Sequence, residues 1–249
     1  MARSFIYDNI GFSESTVEDG TVSSTTFDPA PTSVTNEERA NDMSISTPFT
    51  SFAANDALRF NVGSSKTANC IALYYTSDHG HDFKVYAAAS ATSMGTAVLN
   101  HTASILAGWN IIDFTSSAGQ YWFLQSTTGV IDDITEVIIG SKYTFAVNPE
   151  LKATTGEAFG TDIMTSYGGN EYANKRHEPK TTWDWNWSHI LSTQKTALES
   201  LNASVQDWKK FIYYDDTNYH YVRMTKPVTF TEVAPNIYNA NMSLREQLS

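Results

Sequence analysis

Between Lys180 and Arg245 the spacing of apolar residues changes from the period of a strand to that of a helix and back. In Thr182-Trp183-Asp184-Trp185-Asn186-Trp187 apolar and polar residues alternate, and a repeat of two puts the three tryptophans on one face of a strand. From Ser192 to about Trp208, Ala197, Leu198, Leu201, Val205 and Trp208 recur at three- and four-residue steps. That is the stripe of an amphipathic helix, with Ser192 as its cap. Strand spacing resumes in Phe211-Ile212-Tyr213-Tyr214. A turn is expected at Asp215-Asp216-Thr217-Asn218, then strands over Tyr219–Met224 and about Tyr238–Leu244. A helix of about 16 residues spans about 24 Å and cannot bury its stripe alone, so it is expected to lie across the sheet.

Upstream the pattern is that of short strands. Leu58-Arg59-Phe60-Asn61-Val62 and Phe83-Lys84-Val85-Tyr86-Ala87 alternate, and Ile71 to Tyr75 reads as an interior strand. Trp109 to Phe114, Gln120 to Leu124 and Glu136 to Ile139 extend the series. Phe5-Ile6-Tyr7 and Thr21 to Phe27 are weaker candidates near the start. Strands this short and close, separated by Ser, Gly and Asp turns, predict an antiparallel sandwich rather than a parallel α/β sheet. Pro149 to about Tyr172 lacks periodicity and carries Gly156, Gly160, Gly168 and Gly169, so it reads as a connection.

Composition narrows the function classes. A net charge of −11 argues against a nucleic-acid surface, because phosphate contacts need clustered Lys and Arg. The one basic cluster, Lys175-Arg176-His177, reads as a solvated loop. Only 17% of residues are charged, which suits β-rich extracellular or particle proteins. No apolar run is long enough for a membrane span, and the start lacks a signal-peptide core, so synthesis in the cytoplasm is expected. Cys70, the single cysteine, sits in an apolar run and reads as a small buried hydrophobe.

Candidate chemistry is sparse. Asp78-His79-Gly80-His81-Asp82 holds two imidazoles and two carboxylates, but a structural zinc site needs four N or S ligands and no second cluster exists. A solvent-exposed turn is the simpler reading. The pairs Asp132-Asp133 and Asp215-Asp216 belong to turns, where adjacent carboxylates point apart. Glycosidase chemistry needs two facing each other across a cleft, although either pair offers hard oxygen ligands for Ca²⁺. No nucleophile, base and acid come together, so no enzyme, cofactor or metal is expected. The surplus is aromatic. Trp183, Trp185 and Trp187 are ordinary core by default; exposed aromatics would instead anchor a subunit interface or a sugar.

The residues around Tyr7-Asp8-Asn9, Ser23-Ser24, Leu58-Arg59-Phe60 and Ile71-Ala72-Leu73-Tyr74 resemble jelly-roll domains of the discoidin or galactose-binding type. The likeness continues through Val85-Tyr86-Ala87-Ala88, Gln120-Tyr121-Trp122-Phe123-Leu124 and Ile134 to Gly140. The tryptophan strand, the helix, Phe211 to Asp216, Tyr221-Val222-Arg223 and Asn241 to Glu246 are similar to distal-tail and tail-tip proteins of long-tailed phages and gene transfer agents. The resemblance implies a ring-forming structural protein of a phage tail, located in the virion and made in the bacterial host cytoplasm. In that family the ring-forming unit commonly comes first, whereas here it would be C-terminal.

The expectation is therefore a mainly β chain: a jelly-roll sandwich over 1–148, a connection over 149–172, and a β-sheet unit with one packed helix over 173–249. Its function would be assembly into a homo-oligomeric ring with other tail proteins, with Trp183, Trp185, Tyr213, Tyr214 and Tyr221 at the contact. The alternative is a carbohydrate-binding module that recognises a host glycan through His79, His81, Asp82 and Trp109.

Overall fold

The computed structural model describes residues 3–10, 16–28, 36–46, 55–78, 82–102, 105–128, 134–150 and 154–247. Its strands begin with β1 (Ser4–Tyr7), β2 (Thr16–Ser23), β3 (Thr26–Asp28), β4 (Asp56–Tyr75), β5 (Phe83–Ala88), β6 (Ala97–His101), β7 (Gly108–Ser126) and β8 (Ile134–Thr144). They continue with β9 (Thr154–Thr165), β10 (Glu171–Leu191), the helix α1 (Ser192–Val205), β11 (Phe211–Tyr214), β12 (Tyr219–Ala234) and β13 (Ile237–Glu246). The fold is mainly β and antiparallel, as the alternation predicts. It forms two compact units, one spanning Asp8–Lys142 and one combining residues up to Tyr7 with those from Tyr143 onward.

The Asp8–Lys142 unit is a sandwich of jelly-roll type organised by two long strands. The first half of β4 pairs with β2 (Phe60 opposite Val17) and with the second half of β7 (Phe60 opposite Trp122). That part of β7 pairs with β5, and β5 with β6. The second half of β4 pairs with the first half of β7 and with β8, placing Ile71 opposite both Ile112 and Ile139. Register shifts after Asn61 and Ala68 separate the two pairings. Alternate residues Leu58, Phe60, Ile71, Leu73, Trp122, Leu124, Val137 and Ile139 form one buried core. Each such side chain contributes about 1.5–3 kcal/mol on burial. A smaller cluster gathers the opposite-parity residues Ala57, Tyr86 and Phe123 with Val22, Phe27 and Met94. Cys70 is buried as expected, and burial pushes its thiol pKa up to about 12.

In the other unit the strand order is β1-β11-β12-β13-β10-β9. Trp183, Trp185 and Trp187 do share one buried face, and α1 packs against β10, β12 and β13 with Leu198, Leu201 and Val205 inward. Two helix expectations change. Leu191, not Ser192, takes the cap position, with extended backbone and no side-chain cap bond. The helix ends at Val205 because Gln206 turns to φ 51°, donating its N–H to the Asn202 carbonyl at 3.0 Å, so Trp208 lies beyond it and is exposed. Gln194 provides a buried polar anchor: its amide accepts from Val147 N–H and donates to Val147 C=O, both at 2.8 Å.

The division into units also differs from the expected 1–148, 149–172 and 173–249. The first strand belongs with the C-terminal sheet, where β1 pairs with β11 (Phe5 opposite Tyr213). The segment read as a connection contains β9, which pairs with β10 from Glu171 to Asp184. Much of this ribbon is solvated on both faces, so neither face shows the alternation that marks a half-buried strand. A Cβ at Gly160 would lie 2.4 Å from the ring of exposed His177, so a larger residue there would have to displace that side chain.

Candidate functional site

Among the described residues, an aromatic pair in the sandwich unit and a cavity in the C-terminal unit are candidate sites. In the sandwich unit Tyr74 and Trp109 stand opposite each other on β4 and β7, half-buried, with ring centroids 5.2 Å apart at 75°. The loop leading into Trp109 is braced from both sides. Asn110 Oδ1 accepts from Leu106 N–H at 3.1 Å, and its amide nitrogen donates to the carbonyls of Leu106 at 2.6 Å and Gly108 at 3.1 Å. Asp78 Oδ1 accepts from Ala107 N–H at 2.6 Å. Gly108, at φ 94°, makes the left-handed turn that L side chains rarely adopt. Leu106 is left exposed beside the pair.

Asp82 is fixed by its backbone: its N–H donates to Thr128 Oγ1 at 2.9 Å and its carbonyl accepts from Thr127 N–H at 3.0 Å. His79 and His81 lie outside the described residues, as do Asp132 and Asp133. Of the proposed sugar-contacting loop, Trp109 and Asp82 can therefore be placed, and Tyr74 is the partner that sequence reasoning missed. Register across β4 and β7 makes that pair, and neither residue's own neighbours reveal it.

In the C-terminal unit a cavity of about 370 Å³ opens onto Arg3, Glu150, Trp183, Tyr213, Asp215 and His220. Thr155, Thr181, Pro149 and Trp185 complete its wall. Asp215 organises one side of it. Its Oδ1 accepts the N–H groups of Thr217 at 2.8 Å and Asn218 at 2.7 Å, and its Oδ2 lies 3.0 Å from His220 Nε2. Partial burial pushes the Asp215 pKa upward. The Asn218, His220 and Thr217 contacts outweigh it and hold the carboxyl below its ordinary value. The other imidazole nitrogen of His220 faces Glu246 Oε1 at 3.5 Å. Both Asp215 oxygens already accept hydrogen bonds, so a Ca²⁺ there would have to compete with the Thr217 and Asn218 N–H groups for them. No group of three or more His, Cys, Asp or Glu suited to a metal ion occurs among the described residues.

The expected interface residues occupy different surroundings. Trp183, Trp185, Tyr213 and Tyr221 are buried in their own unit at 7%, 1%, 1% and 4% exposure, and the first three belong to its hydrophobic core. Tyr214 alone of the five is partly open, stacked on Tyr219 at 4.6 Å. A group of exposed apolar side chains lies instead along the β9–β10 ribbon: Phe159, Ile163, Met164, Tyr167 and Tyr172, each more than 60% exposed.

No family model and no curated protein matches the chain. Solved structures do. Chitosan-binding module 1 from a Paenibacillus sp. IK-5 chitosanase/glucanase is similar at 20% identity and TM-score 0.40, over 53% of this chain and 97% of that one. The family 32 carbohydrate-binding module of Clostridium perfringens NanJ, solved with galactose, is similar at 16% identity and TM-score 0.40, over 57% and 99%. A further C. perfringens family 32 module, in complex with GalNAc-β-1,3-galactose, is similar at 9% identity and TM-score 0.41, over 54% and 99%. The likeness concerns about half the chain.

Proposed function

We propose that this protein is a non-catalytic recognition protein whose sandwich unit binds a saccharide at the Tyr74–Trp109 pair. The observation that carries the reading is the braced aromatic pair itself. A partly buried tryptophan, held at a fixed angle by a second ring and approached by a loop locked at Leu106, Ala107 and Gly108, offers a rigid edge or face for the C–H side of a sugar. Rigidity matters because an ordered platform has little entropy left to lose on binding. Asp78 and Asn110 are occupied in holding the loop, so specificity would come from neighbouring polar groups. The modules resembling the chain include ones described as chitosan-binding and one solved with galactose; the proposal rests on the pair.

A glycan array followed by calorimetry on the strongest hit tests this reading. Trp109→Ala is expected to weaken binding at least about tenfold, or about 1.4 kcal/mol, while the melting curve of the sandwich unit is retained. Binding unchanged by that substitution, or no glycan bound by the intact chain, would refute it.

A second reading, assembly into a multi-copy particle such as a phage tail tip, draws on the β9–β10 ribbon. A two-stranded ribbon alone in water is marginally stable, and this one carries Phe159 and Ile163 on one face and Met164 with Tyr172 on the other. β9 also ends the strand order of its sheet, leaving an edge open to pairing. Light scattering over a concentration series tests it: mass should rise with concentration and return to that of a single chain in a Phe159→Ser, Ile163→Ser double variant. A single-chain mass throughout, with the same result for electron microscopy of co-expressed particles, would sink it.

A further inference from the structure

The C-terminal cavity is, we infer, a second saccharide site: a pocket for one neutral sugar ring, separate from the Tyr74–Trp109 platform and independent of it. A sugar hydroxyl both donates and accepts, so a site for it must present donors and acceptors together beside a flat apolar patch. This cavity does. Arg3 supplies donors, Glu150 and Asp215 supply acceptors, and Thr155 and Thr181 supply hydroxyls capable of either role. Trp183, mostly buried, lines the apolar part of the wall together with Tyr213 and Trp185.

The walls are held before any ligand arrives. Trp183 meets Tyr213 edge-on at 5.9 Å and His220 at 5.0 Å, and Tyr213 is backed by Trp185 at 4.5 Å. His220 is itself fixed between Asp215 and Glu246. Glu150 is secured by its backbone N–H to the Asn186 carbonyl at 2.8 Å and by a hydrogen bond from the Ser188 hydroxyl. A volume of about 370 Å³ lies at the small end of ligand pockets, fitting a single ring with its substituents.

The same residues argue against other ligands. A phosphate or uronate would face two carboxylates against one guanidinium. A wholly apolar ligand would strip water from Arg3, Glu150 and Asp215 and return no hydrogen bonds. A metal ion would compete with the N–H groups that already occupy Asp215.

The test uses the full-length chain with its tryptophan indole groups labelled with ¹⁵N, their signals assigned through Trp109→Phe and Trp183→Phe. Galactose, glucose, N-acetylglucosamine and glucuronate are each added to about 50 mM, enough to fill even a millimolar site. The expected result is a shift of the Trp183 signal with at least one neutral sugar and none with glucuronate. Apparent affinity should fall tenfold or more in Arg3→Met and in Glu150→Gln. A Trp183 signal that stays still with every neutral sugar, or moves equally in both rim variants, overturns the inference. Movement of the Trp109 signal alone would overturn it while leaving the platform reading intact, and movement of Trp183 alone would do the reverse. Should Trp183→Phe not fold, the signal that loses its response in Arg3→Met identifies the pocket.

Discussion

Substituting Phe5 tests the least expected feature of the fold, that a strand at the start of the chain completes the core at its other end. Phe5 is 1% exposed, and its ring meets Phe145 at 4.7 Å, Phe211 at 5.3 Å, Trp185 at 5.8 Å and Tyr213 at 5.9 Å. Phe5→Ala removes a buried aromatic side chain and leaves a void among four rings too rigid to close it, at a cost of about 3–5 kcal/mol. Against a domain stability of about 5–15 kcal/mol, that is a large fraction. Hydrogen exchange resolved by peptide is the suitable assay because it reads the two units separately. Amides of β10–β13 that exchange by unfolding of their unit should lose roughly 2 to 3.5 powers of ten in protection. Those of β4, β7 and β8 should keep theirs. Equal loss in both units, or loss confined to the sandwich, would refute the assignment of β1 to the C-terminal sheet.

Three further outcomes follow from named groups. The folded-state pKa of Asp215 is depressed, so the stability it adds is present above the unfolded value of about 3.9 and disappears as pH falls through the lower folded value. Urea midpoints of the C-terminal unit should therefore drop into acid, and drop less in Asp215→Asn; equal acid sensitivity would contradict this. Cys70, with its thiol pKa pushed up to about 12 by burial, should resist iodoacetamide at about pH 8 until denaturant is added, as mass spectrometry can follow. Gln194→Leu should destabilise the C-terminal unit by about 1–3 kcal/mol, measured by thermal melting, because the Val147 N–H and C=O lose both partners.

What could be read from the sequence was whatever one repeat could carry. Trp183, Trp185 and Trp187 alternate with polar neighbours, and β10 buries that face as expected. Leu198, Leu201 and Val205 recur at helical steps, and α1 buries them. The partner of a strand is not written in its own residues. Ser4-Phe5-Ile6-Tyr7 signals a strand, yet nothing in it names β11, more than 200 residues away, as its neighbour. The ribbon was hidden for a different reason: strands solvated on both faces have no hydrophobic period to show. The candidate sites depended on such pairings as well. Tyr74 meets Trp109 through the register of β4 and β7, and the C-terminal cavity draws Arg3, Glu150, Trp183 and His220 from four separate stretches. In the most aromatic stretch the alternation marked the buried face of a strand, and Trp183, Trp185 and Trp187 are taken up by their own unit's core.

The placement of Phe5 leads to one more prediction about how the chain is built. Within the C-terminal unit, Phe145 N–H donates to the Arg3 carbonyl at 3.0 Å, the Phe5 and Phe145 rings touch, and Tyr7 and Tyr143 pack against the same core. The chain therefore leaves this unit at Tyr7 and re-enters it at Tyr143 beside one and the same core, and the whole Asp8–Lys142 sandwich occupies what would otherwise be a loop. Insertions are tolerated where the flanking backbone is already held by its own contacts, and here β1 is held by β11. Replacing residues 8–142 by a short Gly/Ser turn should leave a chain that melts cooperatively, retains the α1 signature in circular dichroism, and keeps Trp183 and Trp185 in a buried environment by fluorescence. The excised 8–142 segment should fold separately, because among the described residues the core formed by Leu58, Phe60, Ile71, Trp122 and Ile139 draws only on side chains within it. Beginning instead at residue 173, as the sequence pattern alone would suggest, removes Phe5, Phe145 and β9 and should give an unstable, aggregating product. If that truncated chain folds as well as the one carrying β1, the first strand is an ornament rather than part of the C-terminal core.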